Sequence, residues 1–173
     1  MALPSCGERG AGSTVFQNFF VLRLRIDSHR YYEEKFDRVP YVAENEVYIF
    51  AGEAFGINAT ITKNEISRIT YQRDTRKANV EFKFTQESSP NGPMMLLTTR
   101  NKLKQKLFFE ALMTVPEKKE IYETTVLPVK PSLSTVESWP HPIVQLVLRN
   151  FRFSGKPKEQ TEISNRSPKR SCW

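Results

Sequence analysis

Two segments of the chain alternate apolar and polar residues with a period of two, and only a half-buried strand satisfies that pattern. Phe20, Leu22, Leu24 and Ile26 interleave with Val21, Arg23, Arg25 and Asp27, and Val80, Phe82 and Phe84 interleave with Glu81, Lys83 and Thr85. Such strands belong to an antiparallel sheet with one face on a core. Between them, residues 46–51, 57–62 and 66–72 are short runs rich in β-branched or aromatic residues, with Gly52 and Gly56 expected as bends. Turn residues at Asp74-Thr75-Arg76-Lys77 and at 88–93 separate the next strands, the second bringing the chain to Met94-Met95-Leu96-Leu97. The expected result is an antiparallel meander or partly closed barrel of about six to seven strands.

After Thr99 the period changes. Asn101 is placed to cap a helix, and Leu103, Leu107, Phe108, Ala111 and Leu112 recur at helical spacing until Pro116. An amphipathic helix is therefore expected over about 101–115, with Lys102, Lys104 and Lys106 on its outer surface and its apolar side closing the sheet. Residues 120–129 can form a strand, and 131–142 read as a proline-punctuated connection. Residues 143–153 fit a helical stripe (Ile143, Leu146, Val147, Phe151) better than a strand. The expected class is thus α+β: a flexible N-terminus over 1–14, a single domain over 15–153 and a disordered basic tail over 154–173.

Hydrophobic residues supply 39% of the 173 positions, including 12 Phe, which is enough apolar surface for one core. The net charge of +7 is concentrated at one end. From Arg149 onward seven cations face only Glu159 and Glu162, leaving +5, so the body carries an ordinary mixed surface. The charge excess suits anionic partners such as lipid head groups, nucleic acid or acidic protein surfaces. No apolar run reaches the roughly 18 residues of a membrane helix. Cys6 and Cys172 lie near the termini and are expected as free thiols. Leu3-Pro4-Ser5-Cys6-Gly7 matches the lipidation region of a bacterial lipoprotein, making Cys6 a candidate acceptor if a hydrophobic leader has been removed. The expected location is cytoplasmic if Met1 is the natural start, and periplasmic or membrane-anchored otherwise. Asn58-Ala59-Thr60 and Asn165-Arg166-Ser167 fit the glycosylation pattern.

Meandering strands followed by one amphipathic helix, over about 39–115, resemble the order of elements in pleckstrin-homology-like domains. The resemblance implies a sheet closed by a helix and, in some members, phosphoinositide binding by Lys and Arg on the first hairpin. Here the comparable turn, Glu53-Ala54-Phe55, is acidic, and the helix offers Phe108 and Phe109 where the family often has tryptophan.

Catalysis is not expected. His29 and His141 sit in loops, the second between Pro140 and Pro142, far in sequence from both cysteines. The pairs Glu33–Glu34 and Glu44–Glu46 read as solvated charge. With no Cys-x-x-Cys or His-x-x-x-His spacing, no metal or other cofactor is expected. Gly52-Glu53-Ala54-Phe55-Gly56 lacks the Gly-Lys-Ser/Thr ending of a phosphate loop. Arg68, Arg73, Arg76 and Lys77, on one strand and the turn after it, are the candidate anion- or partner-binding residues. Ser167-Pro168-Lys169-Arg170 could serve a kinase or a targeting receptor. Nucleic acid is disfavoured, because alternation assigns Phe82 to the core rather than to base stacking. The functional expectation is a noncatalytic interaction module whose first partner is a protein, at a sheet edge or between sheet and helix, and whose second is an anionic membrane surface. The alternative is an envelope lipoprotein with an accessory or assembly role.

Overall fold

The computed structural model describes residues 14–155. Strand follows strand: β1 (Phe20–Arg25), β2 (Tyr31–Phe36), β3 (Val42–Ala43), β4 (Glu46–Phe50), β5 (Glu53–Thr62), β6 (Glu65–Gln72), β7 (Val80–Ser89), β8 (Gly92–Asn101), β9 (Phe108–Thr114), β10 (Ile121–Thr124), β11 (Ser134–Trp139) and β12 (Gln145–Arg152), with one 3-10 turn at Thr75–Lys77. They form two five-stranded antiparallel sheets, β10-β9-β12-β4-β3 and β11-β8-β7-β5-β6, and a separate β1-β2 hairpin.

The α+β expectation is therefore corrected to an all-β fold, since no α-helix occurs among the described residues. Residues 101–115, expected as the closing amphipathic helix, end β8, cross a loop and become β9. Asn101 is fully buried and organises that loop rather than capping a helix: its carboxamide donates to the carbonyls of Gln105 (2.8 Å) and Val129 (3.0 Å), and its Oδ1 accepts from the Leu103 N–H (2.9 Å). Leu103 and Leu107 are buried in the loop, whereas Phe109 and Ala111 are buried from the strand. Apolar residues from two different local structures thus produced a helical spacing by superposition. Residues 143–153, read as helix, contain β12, and the connection at 131–142 contains β11. The strand expected within 120–129 is β10.

The strands read from period two are present. Val80, Phe82 and Phe84 are buried on β7, as are Leu22 and Leu24 on β1. The sheets face each other through aromatic rings: Phe82 of β7 meets Phe109 of β9 and Phe151 of β12, each at 6.2 Å, and those two rings stack at 5.3 Å. β12, the last strand in the chain, pairs with both β4 and β9 in the middle of its sheet. The hairpin packs at one end of this sandwich, where Phe20 and Phe36 lie 5.0 and 4.6 Å from Phe50, and where the Gln86 amide bonds the Arg25 backbone in both directions (2.8 and 2.9 Å).

Tight turns define the other end. Glu44-Asn45 and Lys63-Asn64 all take positive φ between 50° and 64°, the geometry of two-residue hairpin turns whose twist matches that of the strands. Asn45 then ties one sheet to the other, its Oδ1 accepting from the Ile69 N–H of β6 at 2.8 Å. Gly52 forms the expected bend, at φ 93°. Gly56 does not bend; it lies inside β5 where the β6–β7 connector crosses, and a Cβ there would collide with that of Ala78.

Candidate functional site

The cations expected to bind a partner do not converge. Arg68 is exposed on β6, opposite Thr60, and Arg73 lies five residues further on, about 16 Å along an extended strand. Arg73, Arg76 and Lys77 are gathered on the connector, but Asp74 engages Arg76 through two hydrogen bonds of 3.0 and 3.1 Å, which hold the Asp74 carboxyl below its usual range. Lys102 reaches the same connector, bonding the Thr75 carbonyl at 2.7 Å and pairing with Glu81. The connector is a small basic surface with partial internal neutralisation.

The histidines stand apart. His29 is exposed in the β1–β2 turn, its Nδ1 2.7 Å from the Ser28 hydroxyl, and His141 lies between β11 and β12. Glu33 and Glu34 are exposed on β2, and Glu34 accepts from the Tyr32 hydroxyl. Asn58 is half-buried in β5 and its Oδ1 accepts from the Asn79 N–H at 3.2 Å. Cys6, Cys172, the Asn165 pattern, the Ser167 motif and the basic segment beyond Gly155 lie outside the described residues.

Two features emerge that the sequence reading missed. The first is one side of the sandwich, where β10 ends one sheet and β11 ends the other. The Trp139 indole N–H of β11 ties the two strands by donating to the Thr124 hydroxyl of β10 at 2.8 Å, and Glu137 of β11 accepts from the Leu127 N–H, in the segment after β10, at 2.7 Å. Along this side Ile121 is 63% exposed, Leu127 61%, Val136 60% and Leu133 54%, with Tyr122 also open. Five of the eleven exposed large apolar side chains of the described residues thus fall within 121–136. The local signal was Ser-Thr-Val-Glu-Ser-Trp, in which Thr135, Val136 and Trp139 favour strands, hidden between prolines.

The second feature is a groove of about 1060 Å³ at the turn end, between the β3–β4 and β5–β6 turns and the end of β12. Glu44, Glu46, Glu65 and Glu110 line it against Lys63, Arg149 and Arg152, over a floor that includes Ile66, Ile69 and Phe151. Glu46 accepts from the Tyr48 hydroxyl at 2.9 Å; burial first, then this bond, pushes the Tyr48 phenol up to about 12. Arg149 and Arg152 both reach Glu110 from a β12 whose register shifts between them, with Asn150 at φ 54°. An asparagine, which tolerates positive φ, between two arginines was the only local trace of this arrangement.

The chain matches no protein-family model, no curated protein and no solved structure.

Proposed function

We propose that this chain is a noncatalytic interaction module whose partner is a protein, received as an extended segment along β11. The carrying observation is the concentration of exposed apolar side chains beside two sheet-terminating strands. Most sheet edges are short, twisted or covered because unpaired N–H and C=O groups template further pairing. The opposite side of this sandwich follows that pattern: β3 has two residues, and Asn45 occupies the Ile69 N–H of β6. β11 instead offers six residues with Val136 outward and Leu133 just before it. A partner strand would gain main-chain hydrogen bonds, with side chains at alternate positions supplying specificity.

A photoreactive residue placed at Val136, or at exposed Lys83 on the outer face of β7, tests this in the source cells. Adducts at Val136 that map to an extended segment of another protein, and are absent at Lys83, support the edge. Equal labelling at both positions, or none at Val136, removes the reading. The connector favours a second reading, an anionic surface, through Arg73, Arg76 and Lys77. It requires salt-sensitive co-sedimentation with anionic vesicles that is lost when these three are replaced.

A further inference from the structure

In a regular strand, residues 149 and 152 point to opposite faces. The bulge in β12 instead brings both guanidinium groups onto Glu110. Glu110 does not satisfy them. The Asn150 amide holds its Oε2 at 2.7 Å, while Arg149 Nε stands 3.4 Å from that oxygen and Arg152 Nη1 stands 3.5 Å from Oε1. Each guanidinium has five N–H donors. Among the described residues the Arg149 side chain makes no hydrogen bond, and Arg152 adds only an Nη1 bond of 2.9 Å to the Asn150 carbonyl. The buried Nε atoms of both arginines lack an acceptor. Two half-buried cations therefore share one carboxylate at long range, leaving an excess of charge and of donors where desolvation makes both costly.

A planar oxyanion fits this deficit, because guanidinium donors match a carboxylate in a forked geometry. Glu44 and Glu46 line the same groove, so it does not attract anions indiscriminately, and a phosphate dianion meets repulsion from these carboxylates. Beside the arginines lie Ile66, Ile69 and Phe151. We propose that this groove binds a ligand carrying a single carboxylate on an apolar body, with Arg149 and Arg152 taking the carboxylate and Ile66, Ile69 and Phe151 taking the body. A peptide C-terminus and a fatty acid share that chemistry. The inference does not depend on binding along β11.

The test is an NMR titration of the full chain with acetyl-Val-Leu-Phe as the free acid, the same peptide as its C-terminal amide, decanoate and inorganic phosphate. At least one of the two carboxylates is expected to shift the Ile69, Phe151 and Arg152 amides saturably. Saturation by the peptide acid alone identifies a peptide C-terminus as the source, and saturation by decanoate alone a fatty acid. Where the peptide acid binds, its amide is expected to bind roughly tenfold to a hundredfold more weakly, and phosphate is expected not to compete with either carboxylate. Arg149→Met should weaken the carboxylate by a similar factor without moving the amide. The wild-type comparison does not depend on that variant folding. Failure of both carboxylates to bind, equal binding of acid and amide, competition by phosphate, or unchanged carboxylate binding in a folded Arg149→Met protein overturns the proposal.

Discussion

The Glu53 carboxylate accepts a hydrogen bond from the Phe50 backbone N–H at 2.7 Å, closing the turn between β4 and β5. Burial pushes its carboxyl up from 4.5 to about 7, against the downward pull of that N–H and, more weakly, of the Gln17 amide, whose Nε2 makes no complete hydrogen bond. Between pH 4.5 and 7 the folded chain holds a proton that the unfolded chain has released. Stability from this group is therefore highest below pH 4.5, falls as pH rises to about 7 and is level above it. Glu53→Gln keeps an acceptor for Phe50 and removes the charge. The variant is expected to lose this slope and to exceed the wild type above pH 7 by up to about 3 kcal/mol. Urea denaturation at pH 5 and pH 8 measures both; a variant less stable than wild type at pH 8 contradicts the assignment.

Gly56 and Ala78 form a second coupled pair. A methyl group on Gly56 would meet the Ala78 Cβ and come within 3.2 Å of the Val80 carbonyl oxygen. Gly56→Ala is expected to cost about 1–3 kcal/mol by overpacking, and Ala78→Gly in the same chain should restore part of it. Additive losses in the thermal unfolding of the two single variants and the double variant would show that the close approach is not the cause.

Phe82 joins the sheets by touching both Phe109 and Phe151. Phe82→Ala should cost about 3–5 kcal/mol, the usual range for emptying a buried aromatic site. The measurement is the shift in urea midpoint; a loss below about 1 kcal/mol would place the main sheet-to-sheet packing elsewhere.

On the free side, Val136→Lys replaces an exposed side chain and should leave stability within about 0.5 kcal/mol, while placing a charge where a partner strand would lie. Binding of a partner identified by crosslinking is expected to fall at least tenfold by calorimetry. Unchanged affinity argues against β11 as the docking strand.

Period two determined β1 and β7 in the sequence itself, because each strand has one face on the core and one toward water. β9 and β12 were not legible for the opposite reason. They lie inside a five-stranded sheet, and Leu112 and Val147 on the face away from the core are themselves half-buried, so apolar residues fall on both sides. In β12 the bulge after Arg149 also breaks the alternation. The pairing of β12 with β4 joins residues nearly a hundred positions apart, which no local pattern encodes. Arg149 and Arg152 meet Glu110 only because β12 also pairs with β9 on its other side, and the exposed side exists only because β10 and β11 end their sheets. Local alternation determined that strands form and which of their faces are apolar. Tertiary packing decided which strands lie inside, which remain as edges and which charges come together, since these depend on long-range pairing rather than on neighbours in the chain.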